Sequence, residues 1–314
     1  GGSFLNVGGE SKAYIARLTS TGALDTTFTP NLNDSVRTIA IQSDGQILIG
    51  GDFDYVDATF QAYIARLNTN GSRDSSFYNV WPSGEINAIA IQSNGYILIG
   101  GEFGGIDTVV GKNVYIARLN TNGNVDATFC GYGETTFCDP GIQSGSPTAL
   151  ITSIAIQTNG QIIIGGQFAT VQGENRTNLA RLNTTGILYE AFVDAGLDAS
   201  VDAIAIDSSG KILIAGNFTT VGGSTRNQIA RLSTTGTLDT SFDSNGYGGT
   251  LYTVAIQSGS KILIGGSYYD VGSDGRLGVA RFTNSTNDFN TNGISDILLR
   301  NATTGQVNIW FMKT

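Results

Sequence analysis

Nine consecutive residues, Asp288, Phe289, Asn290, Thr291, Asn292, Gly293, Ile294, Ser295 and Asp296, carry the best spacing for a ligand site in the chain. Side chains at Asp288, Asn290 and Asn292 alternate and can turn their oxygens inward. Gly293 permits a sharp turn, the Ile294 carbonyl can add a ligand and Asp296 closes the shell; oxygen donors at this spacing suit Ca²⁺. Only two of these side chains are carboxylates, so the expected affinity is weak, suited to roughly millimolar extracellular calcium.

Other chemistry is scarce. The sequence has no histidine, which excludes a Ser-His-Asp or Cys-His triad, His-based zinc sites and haem ligation by His. Its two cysteines, Cys130 and Cys138, lie in one insertion. A disulfide there would pin a protruding loop in an oxidising compartment, and two free thiols are the alternative. No Gly-rich phosphate motif opens a helix, and the Ser43, Asp44, Gly45 run is a hairpin turn rather than a sialidase box. Paired carboxylates remain the one catalytic route, so no catalytic residue is assigned and the chain is expected not to be an enzyme.

Arginines recur at Arg17, Arg66, Arg118, Arg181, Arg231 and Arg281, and eight residues later stand Asp25, Asp74, Asp126 and Asp239, with Tyr189 in that place after Arg181. A ring of anion sites is one reading. The favoured one is a structural ion pair, between neighbouring strands or with the next repeat. Loops that follow a recurring double glycine carry Lys12, Arg176, Arg226 and Arg276 at equivalent places, with Gln61 in another copy. Arg176, Arg226 and Arg276 could cradle sugars or acidic groups. Trp81, Tyr132 and Phe137 are further ligand candidates, since aromatics in long loops are costly unless they pack or bind. The loop 130–147 is the favoured single contact surface.

Composition narrows the partners. The net charge is −9 over 314 residues, against a nucleic-acid or anionic-lipid partner, both of which need clustered Lys and Arg. No apolar run approaches the roughly 18 residues of a membrane span. Forty-three glycines against four prolines, without a Gly-X-Y period, mark many tight turns. The chain opens inside a repeat and is expected to be a processed form or a fragment.

What must position these residues is a repeat. ILIGG stands at 47–51 and 97–101, and returns as IIIGG at 162–166, ILIAG at 212–216 and ILIGG at 262–266. IARL-type segments start at 15, 64, 116, 179, 229 and 279, with the one long interval holding the cysteine insertion. Each module reads as a meander of four short strands. Asp44 and Gly45, or Asn70 and Gly71, supply two-residue hairpin turns. ILIG and YIARL do not alternate apolar with polar, so both faces of each sheet must be covered. The glycine pair is read as the point where the chain leaves the sheet. Repeated four-stranded sheets packed face to face describe an all-β, six-bladed β-propeller. Its blades are expected at about 35–77, 86–129, 151–192, 201–242 and 251–282, within a single domain 1–314.

The segments IAIQSDGQILIGGDF and IARLNTNGSRDSSF resemble the delta-60 repeat, a propeller-forming family of bacterial secreted and surface proteins, over residues 1–282. The double glycine is similar, more distantly, to that of kelch repeats. The resemblance implies a propeller and no general activity. The stretch 283–314 is similar to FG-GAP/VCBS repeats, whose calcium loop has carboxylates where Asn290 and Asn292 stand. Strands at about 296–300 and 306–311 are expected to join residues 1–28 in a sixth blade and close the ring; the alternative is that 283–314 begins another domain.

The function expected from this pattern is a secreted or surface-exposed, non-catalytic binding or adhesion module, braced by Ca²⁺, for a glycan or a surface protein. A phage tail or fibre component on a virion, a structural subunit of a surface layer or filament, and a carboxylate-dependent hydrolase or lyase are the alternatives.

Overall fold

The computed structural model describes residues 1–78, 80–106, 115–129, 142–143, 149–242, 248–257, 261–270, 279–282, 298–300 and 307–309, and of residues 248–249, 268–270, 279–282, 298–300 and 307–309 the backbone alone. Every named element is a strand. Among the described residues no helix is long and apolar enough to cross a membrane.

Five antiparallel sheets of three strands each follow the repeat, and the second strand is central in every one. They comprise Val36–Ile41, Ile47–Gly51 and Ile64–Leu67; Ile86–Ile91, Ile97–Gly101 and Ile116–Leu119; and Leu150–Ile156, Ile162–Gln167 and Leu179–Leu182. Val201–Ile206, Ile212–Gly216 and Ile229–Leu232 form the fourth, and Gly248–Gln257, Lys261–Asp270 and Val279–Phe282 the fifth. The ILIGG and IARL strands are buried from end to end in the second to fourth modules and in 35–77. Their lack of alternation therefore does report cover on both faces.

The expected fourth strand is reduced to one bridge per module: Leu67 with Arg73, Leu119 with Val125, Leu182 with Leu188 and Leu232 with Leu238. In module 35–77 the reason is local. Asp74 Oδ1 accepts the Ser76 N–H at 2.9 Å and the Ser76 hydroxyl at 2.7 Å, which curls the chain out of the ladder. The two-residue hairpins are also corrected. Gly45 N–H donates to the Gln42 carbonyl at 2.9 Å and Gln42 N–H to Gln46 at 2.8 Å, with Gly45 alone at φ +85°. This is a three-residue loop, a type I turn followed by a left-handed glycine.

The double glycine makes room rather than an exit. A Cβ on Gly50 would lie 2.6 Å from Ile86 Cγ2, one on Gly100 2.5 Å from Ile151 Cγ2, and one on Gly165 2.8 Å from Val201 Cγ1. Each contact is with the first strand of the next module. The second glycine faces the backbone of its own first strand, Gly51 meeting the Ser35 carbonyl and Gly101 that of Glu85. The pair is thus required by close approach between and within sheets.

Consecutive modules pack in chain order, each first strand against the next, from Val36–Ile41 through Gly248–Gln257. Side chains interlock at each junction, as with Leu48 and Ile64 against Ile86, Ile97 and Ile99. A second set of links runs through the arginines. Arg66 Nη1 donates to the Thr121 carbonyl at 2.7 Å, Arg118 Nη1 to Thr184 at 2.8 Å and Arg181 Nη1 to Thr234 at 2.8 Å, always in the following module; Arg17 makes the same bond to Thr69.

Residues 1–28 keep this packing. A Cβ on Gly1 would lie 2.7 Å from Val36 Cγ1, and Ile15 joins the core of Val36, Ile47 and Ile49. At the other end Leu298–Arg300 pairs antiparallel with Val307–Ile309.

Candidate functional site

One position escapes the repeat. In every complete module a bulge interrupts the first strand opposite the double glycine, or opposite Ala215 and Gly216 in 201–242, and the unpaired residues are Arg37, Asn87, Thr152, Asp202 and Tyr252. A bulge re-aims its side chain and bends the strand. The strands on either side of the bulge are near-copies of one another, yet these five residues are a cation, an amide, a hydroxyl, a carboxylate and a phenol. Because the first strands pack in sequence, the bulges fall in one row.

Arg37 ties that row together. Its Nε lies 2.6 Å from Asp52 Oδ1 and its Nη2 2.8 Å from Glu85 Oε2, while Nη1 donates to Asn87 Oδ1 at 3.0 Å. Two carboxylates thus share one guanidinium. Partial desolvation pushes the Glu85 carboxyl up; Arg37 opposes the rise, and Asp52, Glu102 and Asp34 reinforce it. Desolvation likewise pushes the Tyr63 phenol up, with Asp54, Glu85 and Asp52 adding to it.

Asp202 sits further along. It accepts the Ser200 hydroxyl at 3.0 Å and the Asn217 amide at 3.3 Å. No cation pairs with it among the described residues, and burial pushes its carboxyl up against the pull of Ser200. Tyr252 is exposed. The Thr152 hydroxyl donates to the Val201 carbonyl at 2.5 Å, so what the row offers is the Arg37 and Asn87 pair, the Asp202 carboxyl and the exposed Tyr252 ring. No sequence reading singled it out, because each residue looks like the ordinary polar member of an alternating strand. Its only signal is variation at one register position.

The residues predicted from sequence fare differently. The arginine and aspartate pairs are ion pairs inside each module: Arg17 with Asp25 at 2.8 Å, Arg66 with Asp74 and Arg118 with Asp126 at 2.7 Å, and Arg231 with Asp239 at 2.8 Å. Each guanidinium also lies over a phenylalanine, at 4.7 Å for Phe28, 4.9 Å for Phe77, 4.8 Å for Phe129 and 5.0 Å for Phe242. All four have carboxylate and ring supplied, and Arg17, Arg66 and Arg118 a carbonyl of the following module as well, so these arginines are fasteners.

Arg176 and Arg226 turn back on their own loops. Arg176 Nη1 donates to the Asn175 carbonyl and Arg226 Nη1 to that of Thr225, each at 2.6 Å. Lys12 donates to the Phe28 carbonyl at 2.9 Å and the Gln61 amide to that of Ile64 at 3.0 Å. The bonds described for these four side chains stay within their own modules. Trp81 is exposed. Arg276, Tyr132, Phe137, the Cys130 and Cys138 pair, and the loop of Asp288, Asn290, Asn292, Ile294 and Asp296 lie outside the described residues. Among the described residues no group of three or more His, Cys, Asp or Glu is placed to hold a metal ion.

Comparison with known proteins adds the family. Among solved structures the chain is similar to the extracellular domain of BT4673 from B. thetaiotaomicron, with 16% identity, 82% of this chain and 28% of that one covered, and a TM-score of 0.35. It is also similar to the calcium-binding protein regucalcin from Agrobacterium tumefaciens (18% identity, 76% and 70% covered, TM-score 0.44). A third is a protein of unknown function from Dyadobacter fermentans (13%, 84% and 80%, TM-score 0.43). The chain thus spans little more than a quarter of the BT4673 domain. No curated protein matches it in sequence. The description "Domain of unknown function (DUF5122) beta-propeller" matches residues 1–28, 42–77, 92–129, 157–188, 208–242 and 257–285. Each of those segments holds one of the IARL-type stretches of the repeat, and with more than half of the sequence matched the chain belongs to the DUF5122 β-propeller family.

Proposed function

We propose that the chain is a non-catalytic, extracellular binding module whose bulge row recognises a carbohydrate, on a glycan or a surface glycoprotein. The observation that carries this reading is the set Arg37, Asn87, Thr152, Asp202 and Tyr252, five different side chains at one position of an otherwise repeated frame. A repeat protein keeps what its packing needs and varies what its ligand needs. Mixed donors and acceptors beside an exposed ring suit a polyhydroxylated ligand, whose hydroxyls bond the polar groups while its apolar face stacks on the phenol.

Ring closure belongs to the same proposal. Residues 1–28 correspond to the second half of a module, and among the described residues the face of Val36–Ile41 on that side is bare at Ile39 and Ile41. Ile39 is 38% and Ile41 70% exposed, whereas Ile89, the counterpart of Ile39 in the next module, is 9% exposed. The hairpin of Leu298–Arg300 and Val307–Ile309 has the strand count that is missing, and it makes a sixth blade if it docks there. Ca²⁺ bound by residues 288–296 would brace that hairpin, and a Cys130–Cys138 disulfide would suit the same extracellular setting.

A glycan array read with and without Ca²⁺ tests the binding module: saturable hits support it, and a blank array in both conditions refutes the carbohydrate ligand. A second reading is favoured by Glu85, a carboxyl pushed up beside Asp52 and Glu102. A carboxyl pushed up beside a second carboxyl is the arrangement a glycoside hydrolase uses. Turnover of an array hit that is lost in Glu85→Gln would establish it.

A further inference from the structure

Arg181 is the one described arginine of the series whose module withholds its carboxylate. The backbone is unchanged: the Tyr189 N–H donates to the Arg181 carbonyl at 2.8 Å, as Asp74 does to Arg66 and Asp126 to Arg118. The side chains differ. Tyr189 replaces the aspartate, and Ala191 replaces the hydroxyl residue that Ser76, Thr128 and Ser241 place near Nη2 of their arginines at 3.4, 3.3 and 3.3 Å. Arg181 is 7% exposed, as buried as its counterparts. Its Nη1 keeps the Thr234 carbonyl and reaches Gln157 Oε1 at 3.5 Å, but its Nε is buried without a hydrogen-bond partner.

A buried charged donor left unpaired is costly. The rings of Tyr189 and Phe192 lie over the guanidinium at 4.6 and 4.7 Å and offset part of that cost, yet a ring face cannot accept an in-plane N–H. Tyr189 is itself 37% exposed and stands at the chain position of the sister modules' aspartate, so a swing of its side chain toward solvent leaves the aspartate's place beside Nε and Nη2 open to a ligand. The Nε and Nη2 edge is the fork that binds carboxylates bidentately. In the sister modules an aspartate, an acetate-like group on one methylene, fills the same place.

We propose that Arg181, gated by Tyr189, is a binding site for the carboxylate of a small acidic ligand, set between modules 151–192 and 201–242 and independent of the bulge row. The ligand's carboxylate takes the place of the missing aspartate, Phe192 stays beneath the guanidinium, and the displaced Tyr189 closes over the ligand.

The full chain tests this by thermal melting in sodium acetate against sodium chloride at equal ionic strength, with the Arg181 Nε–H followed by NMR. A ligand that binds only the folded state raises the midpoint, so acetate is expected to give a saturable rise and to move the Nε–H resonance. Tyr189→Asp, which restores the repeat's own carboxylate, is expected to melt above the wild type in chloride and to lose the acetate response. Tyr189→Phe, which keeps the ring, retains it. Glucuronate moving the same resonance assigns the carboxylate to an acidic sugar, and acetate alone moving it assigns an acyclic acid; either upholds the site. Equal melts in both salts with an unmoved resonance overturn it, as does a Tyr189→Asp variant that responds like the wild type.

Discussion

Arg66 shows how much one side chain carries in this repeat. It holds Asp74 at 2.7 Å, covers the Phe77 ring and fastens the next module through Thr121, and both partners of the pair are nearly buried. Removing one partner of a buried pair strands the other, which costs about 3–5 kcal/mol. Arg66→Ala is expected to lose about that much in denaturant unfolding, and far more than Arg176→Ala, whose guanidinium bonds only nearby backbone carbonyls. The pair also sets an acid limit. Against the opposing effect of desolvation, bonds from Ser76 and Arg66 pull Asp74 down to about 2. A depressed carboxyl contributes stability above its unfolded value, near 4, and loses it as the pH falls through the folded one. The melting difference between wild type and Asp74→Asn is therefore expected to be full at pH 7 and to vanish between about pH 4 and pH 2. Asp202 has the opposite sign. Its carboxyl is pushed up by burial, so ionisation at neutral pH costs stability, and Asp202→Asn is expected to melt above the wild type at pH 7 and level with it below about pH 3.

Glycine and its partner form the second scale, and one module shows the rule by breaking it. Gly50, Gly100 and Gly165 face Ile86, Ile151 and Val201, all β-branched, whose γ-methyls occupy the space of a Cβ. Ala215 takes that place in module 201–242, and the residue at the facing position is Leu251, which has no branch at Cβ; the two share one core cluster. Gly165→Ala is expected to cost about 1–3 kcal/mol by overpacking, and the added change Val201→Leu to recover much of it. Additivity of the two effects in a double-mutant cycle would contradict the pairing. This scale was also the most legible in the sequence. ILIGG and IARL announce buried strands because no polar residue interrupts them except an arginine with a fixed partner. What stayed hidden depended on backbone detail: Asp74 ends its strand by bonding Ser76, and the bulges at Arg37 and Asp202 are invisible without a register. The candidate site was therefore missed while its scaffold was plain.

At the scale of the whole molecule the modules pack in chain order, and residues 1–28 dock on Val36 as each module docks on the next. The bare face at Ile39 and Ile41 then decides between an open and a closed array. If the hairpin of Leu298–Arg300 and Val307–Ile309 covers it, Ile41→Asp buries an unpaired charge and is strongly destabilising. A change within about 0.5 kcal/mol, as for an ordinary surface substitution, would mean that the face stays open. Ligand recognition is the claim on which the functional reading stands, and it is tested most directly by titrating the strongest glycan-array hit into wild type, Arg37→Ala, Asp202→Asn and Arg176→Ala. The two bulge-row variants are expected to lose at least about tenfold in affinity, about 1.4 kcal/mol, while Arg176→Ala binds as wild type does; wild-type affinity in both bulge-row variants would contradict a ligand at the bulge row.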